Sequence, residues 1–250
     1  MDIEVGQPTK LSFRDGLVEK YRENSKKTSL RKLHLVIDFS QVMLDKDFNP
    51  NIIYMVLTKA IEFVTEFFEL NPLSNIALSV MKDRKCNLLC DFENNPNELV
   101  RILDNLRKKN SISEDKFFED LNKDSDTNVA TTDIPSGTIS MENTLKATCE
   151  LMADQPLFYV RELLVLLGSS NSRDSYDIYE AVDKINSCYI VVNMISVSSL
   201  PFVFQQICIK SKGKFEVALN EHDFRTKLMV GRKSNRRITH LQWRGFQKRS

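Results

Sequence analysis

The sequence predicts an α/β domain: a doubly wound, mostly parallel six-stranded sheet with one antiparallel edge strand and helices on both faces. Three observations carry this expectation. Apolar, β-rich runs at 33–39, 76–80, 160–167 and 189–197 alternate with segments of helical periodicity, the pattern of parallel strands joined by right-handed crossover helices. The runs 76–80 and 86–92 are separated only by MKDRK, which is too short for a crossover and so makes a hairpin. At 250 residues the chain is long enough to bury one large core.

The elements follow in order. Residues 1–32 are polar, with Lys or Arg at 10, 14, 20, 22, 26, 27, 31 and 32, and are expected to form a basic arm ahead of strand one. Asn49-Pro50 supplies a turn before a helix over 52–70, where Ile53, Val56, Leu57, Ala60, Ile61, Val64, Phe67 and Phe68 recur at helical spacing. NPLSN breaks that helix and leads into the hairpin, after which Asn95-Pro96 opens a second helix. Residues 110–135 hold seven acidic and two basic residues with almost no apolar periodicity. So little apolar surface does not offset the entropy of ordering, and a disordered acidic insertion is expected. Met141, Leu145, Cys149 and Met152 then mark a helix, followed by strand 160–167, helix 176–185, strand 189–197, helix 202–209, short strand 214–218 and helix 223–229. The domain spans 33–230, and a basic tail fills 231–250.

Composition narrows the function classes. Lys and Arg number 35 against 34 Asp and Glu, a net charge of +1, so the total implies neither wholesale nucleic-acid binding nor an acidic-substrate trap. Charge distribution says more: from Phe224 onward there are nine basic residues and no acid, with Trp243 and Phe246 among them. Such a tail suits weak nucleic-acid contact through phosphate charge and base stacking, or a solvated or partner-covered extension. Five cysteines scattered through apolar stretches and a start without a signal-peptide pattern suggest a reducing, intracellular setting. No apolar run is long enough to span a membrane.

Most catalytic patterns are missing. With seven glycines, neither phosphate-cradling motif, G-x-x-x-x-G-K-[ST] or G-x-G-x-x-G, is present. Cys86 and Cys90 form C-x-x-x-C without a matching pair, which reads as structural thiols rather than zinc ligands. Three scattered histidines give a nucleophilic triad no support. What remains is Asp38-Phe39-Ser40-Gln41-Val42, where strand one delivers an acid and a serine to the carboxyl edge of the sheet. It resembles the start of a von Willebrand factor A domain, whose metal-binding members carry D-x-S-x-S there, a threonine on a second loop and an Asp after strand four. A hard cation needs oxygens from all three loops. Here Val42 stands at the last position of the first motif, Ile139 near the threonine, and Leu167-Gly168-Ser169-Ser170 where the last acid belongs, the first following acid being Asp174. The site around Asp38 and Ser40 therefore reads as degenerate, with no metal expected and Asp38 ordering the loops.

A closer resemblance covers about 10–230. RKLHLVIDFSQVMLDKDFNPNII, FVTEFFELNPLSNIALSVMKDR and NNPNELVRIL together resemble the A-domain subunit of the general transcription factor TFIIH, the regulator of the XPD helicase. The motifs include M-x-x-x-D-x-x-P-N from Met43 to Asn51, F-x-x-N-P-[LI]-S-x-I ending at Ile76, G-x-x-S-[LM]-x-N-x-L from Gly137 to Leu145, and S-x-x-x-x-D-x-x-x-[IL]-Y from Ser169 to Tyr179. The resemblance implies a non-catalytic nuclear subunit that binds and stimulates an XPD-type helicase in transcription initiation and nucleotide excision repair. Other TFIIH subunits, including the second A-domain subunit, would be partners. It places Ser169, Ser170, Asn171, Ser172, Arg173 and Asp174 at the helicase surface. Zinc modules follow this domain in the family, and this chain lacks their cysteine pairs, so no cofactor is expected within it. The alternatives are a metal-dependent ligand-binding A domain and a scaffold A domain of another intracellular complex.

Overall fold

In the computed structural model, residues 30–111, 134–156, 158–174, 177–199 and 201–231 are described. Most of the expected arm, most of the acidic insertion and the 232–250 tail lie outside these residues. The element order is β1 (Arg31–Asp38), a 3₁₀ turn (Gln41–Leu44), α1 (Ile52–Leu70), β2 (Asn75–Lys82), β3 (Lys85–Glu93) and α2 (Pro96–Lys109). There follow α3 (Met141–Ala153), β4 (Val160–Leu167), α4 (Ile178–Ser187), β5 (Ile190–Ser196), α5 (Phe202–Lys210), β6 (Phe215–Val217) and α6 (Glu221–Val230).

The six strands lie in the order β3-β2-β1-β4-β5-β6. Every neighbouring pair is parallel except β2 with β3, the antiparallel hairpin at one edge. Alternation along the central strands divides two cores. Leu33, Leu35 and Ile37 of β1 and Leu164 and Leu166 of β4 pack with α1, α2 and α6. Val36, Leu163, Val165 and Leu167 face the other way, onto α3, α4 and α5. Burial on both faces explains why these strands read as continuous apolar runs.

Helix starts follow the local chemistry. The Asn51 side chain accepts from the Tyr54 N–H at 2.9 Å, and Asn95 caps α2 with Pro96 in its first turn. Asn220 does the same for α6, accepting from Asp223 N–H at 2.8 Å.

Strand one begins earlier than its apolar run suggests, so Arg31 and Lys32 belong to β1 and not to a basic arm. Both side chains are engaged inside the fold. The Arg31 guanidinium pairs with Glu162 of β4, both almost fully buried, donates to the Gly231 carbonyl at 2.8 Å and lies 4.8 Å from the centre of the Phe67 ring. The Lys32 ammonium sits over Phe92 and Tyr159, and burial lowers its pKa. Part of the basic stretch after Phe224 is likewise engaged: Arg225 bonds Glu62 and Glu66 of α1, and Lys227 pairs with Asp223.

Candidate functional site at the carboxyl edge of the sheet

Strand order reverses between β1 and β4, and the carboxyl ends of strands at such a reversal are the usual ligand position in open α/β sheets. Asp38 ends β1 at this point and is fully buried. Its Oδ1 accepts the Ser40 N–H at 2.8 Å. Its Oδ2 accepts the N–H groups of Gly168 at 3.0 Å and Ser169 at 2.8 Å. One carboxylate thus ties the loop after β1 to the loop after β4. Burial pushes the Asp38 carboxyl up, against the Ser40 hydroxyl and these three N–H groups, which act in the opposite direction. The approach is tight: a Cβ on Gly168 would lie 2.2 Å from Met43 Sδ on the 3₁₀ turn, so a larger residue there would have to displace the buried Met43 side chain.

Asp174 performs a similar task one loop away. Its Oδ1 accepts from the hydroxyls of Ser140 and Ser172 and from the Glu142 N–H, each at 2.9 Å. That position faces the first turn of α3, where free N–H groups and the helix dipole favour a negative charge. A bridge between Ile139 and Ser172 runs alongside, and Ser172 Oγ accepts the Met141 N–H at 2.7 Å. The hairpin tip is bound into the same edge: Arg84 N–H donates to Thr138 O at 2.7 Å, and Ser136 Oγ donates to the Asp83 carboxylate at 3.1 Å.

Much of the donor set a divalent cation would use is already engaged within the protein. Both Asp38 oxygens are occupied by N–H groups, Val42 offers no oxygen and is 40% exposed, and Asp174 Oδ1 already accepts three bonds. Ile139 is fully buried. Among the described residues no group of three His, Cys, Asp or Glu side chains comes together to hold a metal.

Of the six residues singled out after β4, the structure exposes Ser170, Asn171 and Arg173, half-buries Ser172 and Asp174, and buries Ser169. Ser169 lies 3.4 Å from Ser40 Oγ as its hydrogen-bond acceptor. The loop therefore divides into an inner set that orders the edge and an outer set open to a partner. Sequence reasoning missed further exposed groups there: Phe202 (68%) at the start of α5 and Leu219 (84%) after β6. The helical spacing of 202–209 hides Phe202 among core-facing neighbours. Its place after Pro201, ahead of the buried Phe204 and Ile207, is the one signal of an outward first turn.

The sequence model of the family described as Ssl1-like matches residues 36–127 and 123–235. The chain belongs to the Ssl1-like family. Relatives include the Arabidopsis thaliana general transcription factor IIH subunit 2, 26% identical over 77% of this chain and 39% of its own length. The Schizosaccharomyces pombe general transcription and DNA repair factor IIH subunit ssl1 is 26% identical over 80% of this chain and 42% of its own. This Ssl1-like chain thus spans about two-fifths of the length of those two relatives. Among solved structures, the TFIIH p34 N-terminal domain superposes with a TM-score of 0.58 at 13% identity, covering 83% of this chain and all of that one. The SpRpn10 VWA domain superposes at 0.54 and 11%, over 83% and 96%. These likenesses establish the von Willebrand A fold for this Ssl1-like chain.

Proposed function

We propose that this Ssl1-like chain is the A domain of a TFIIH core subunit, working in the nucleus as a non-catalytic regulator that binds an XPD-type helicase and raises its activity in transcription initiation and nucleotide excision repair. Other TFIIH subunits, among them a second A-domain subunit, would hold it in the complex. The observation that carries the reading is the edge itself: Asp38 and Asp174 are engaged in ordering the loops, and beside them Ser170, Asn171 and Arg173 are exposed. Phe202 and Leu219 extend that surface across the ends of β5 and β6. An apolar and hydrogen-bonding edge that needs no ion to hold its shape suits protein contact. An activator must bind the helicase's active conformation more tightly than the inactive one, since equal affinity shifts nothing.

The test is capture of an XPD-type helicase from the same organism by this chain, in Mg²⁺ and in EDTA, with helicase ATPase rate read alongside. Binding that survives EDTA and raises the rate is expected, and Arg173→Glu should weaken it at least tenfold. Absence of binding in both buffers would remove the reading. Binding lost only in EDTA would favour a metal-dependent A domain instead.

A further inference from the structure

At the edge of the sheet opposite Asp38, the turn after α1 carries part of the F-x-x-N-P-[LI]-S-x-I motif, which the helicase reading leaves unused. Its polar residues close the turn from within. Asn71 Nδ2 donates to the Phe67 carbonyl at 2.9 Å, and Ser74 Oγ accepts the Arg31 N–H at 3.1 Å. Leu70 and Leu73 take no part in that closure and stand 54% and 68% exposed. Glu69 beside them is exposed as well, and α1 has no basic residue in its last turn to offset the negative end of its dipole. The turn is thus an apolar patch with a negative rim. The chain leaves the described fold next to it: the Gly231 carbonyl accepts from the Arg31 guanidinium at 2.8 Å, and the same residue lies against Phe67 and bonds Ser74. One arginine spans the distance from Gly231 to the turn that holds Leu73.

We propose that this patch is a docking site for the chain's own carboxyl-terminal segment, residues 232–250. That segment holds seven Lys or Arg, no Asp or Glu, and the apolar residues Ile238, Leu241, Trp243 and Phe246. It therefore supplies apolar anchors for Leu70 and Leu73 together with cations for Glu69 and the end of α1. Reach is ample, since an extended chain covers about 3.3 Å per residue and the segment starts one arginine away from the patch. Two other segments match the rim less well. Residues 1–29, which enter at the same edge ahead of Leu30, carry six basic and five acidic residues. Residues 112–133 carry seven acidic and two basic, and their preceding helix ends at the opposite edge, where Asn51 Nδ2 donates to the Asn110 carbonyl. Docking at α1 keeps the basic segment away from Ser170, Asn171 and Arg173, the surface assigned to the helicase, and engages its charges within the domain.

Trp243 is the chain's only tryptophan, so its fluorescence in the full chain reports this segment alone. The expected emission lies to the blue of the urea-denatured chain, with acrylamide quenching about threefold weaker, as for a segment docked about two-thirds of the time. Leu73→Lys, a change at an exposed position, should return emission and quenching to the denatured values; Glu69→Lys should raise quenching part of the way, and Leu73→Met should keep the protection. A melting curve on each variant shows that the domain is folded, and sedimentation velocity gives the mass of the species measured. Wild-type Trp243 quenched as freely as in urea would overturn the proposal. Protection left unchanged in folded Leu73→Lys and Glu69→Lys would do the same, because the segment would then dock elsewhere. Protection that appears only as a dimer forms would also overturn it, giving the patch to the segment of a second copy.

Discussion

At the scale of single residues, this domain uses polar groups that sequence reading associates with chemistry to hold itself together. His34 is an example, since it lies mid-strand and almost fully buried. Its Nε2 lies 2.7 Å from Ser79 Oγ and its Nδ1 2.9 Å from Thr148 Oγ1. Thr148 spends its hydroxyl proton on the Thr144 carbonyl at 2.7 Å, so the Nδ1 nitrogen carries the hydrogen and Nε2 accepts from Ser79. Burial lowers the His34 pKa from 6.5 to about 3. The unfolded chain then binds a proton that the folded chain refuses, so the neutral ring's stability is full above the unfolded value and is lost as pH falls towards the folded one. Between those values, stability should drop by about 1.4 kcal/mol more per pH unit than in His34→Gln, measured by urea titration. Equal slopes would show that His34 charges freely. Asp38 gives the second prediction. Replacing it with Ala strands the N–H groups of Ser40, Gly168 and Ser169 and should cost on the order of 3 kcal/mol. The wild-type melting temperature should be the same in Mg²⁺ and in EDTA, because loop N–H groups already engage both Asp38 oxygens; a rise in Mg²⁺ would show a bound cation.

Elements were legible in the sequence wherever burial is two-sided or a cap is explicit. The span 52–70 carries both an Asn cap and unbroken helical spacing, and α1 occupies it; β4 likewise fills its apolar run. Legibility failed where charge is compensated out of sequence view, as at Arg31, whose Glu162 partner lies 131 residues away. The site was legible at one level: Asp38 could be read as a loop-ordering acceptor because its metal-ligand companions are missing. That Asp174 would turn to the start of α3 could not be read, since the contact joins loops 34 residues apart. Its element-scale consequence is testable. Asp174→Ala removes the acceptor for Ser140, Ser172 and Glu142 at that helix start and should destabilise the domain by about 1 kcal/mol. Hydrogen exchange in the first turn of α3 should quicken first, while α6, which has its own Asn220 cap, is unaffected. Uniform quickening across both helices would mean that α3 does not depend on this acid.

For the whole molecule, the question is what closes a sheet whose first strand lies at its centre and whose last helix returns to the same face. Arg31 supplies one closure. Its backbone N–H donates to Ser74 Oγ at 3.1 Å, in the turn after α1, while its guanidinium reaches Glu162 of β4, Phe67 of α1 and Gly231 beyond α6. One side chain thus joins the centre of the sheet to residues 36 and 200 positions along the chain. The two partners should not be equivalent when removed. Arg31→Met leaves the Glu162 carboxylate buried without its cation and should cost about 3–5 kcal/mol, the range for breaking a buried pair. Glu162→Gln should cost less, because the guanidinium keeps the Gly231 carbonyl and the face of Phe67. In the double variant Arg31→Met/Glu162→Leu no charge is stranded, and the loss should fall well short of the sum of the single losses, a coupling that denaturant titration of all four chains measures directly. Additive losses would show that the pair contributes through packing alone, and closure would then rest on the apolar contacts of α6 with the α1 face.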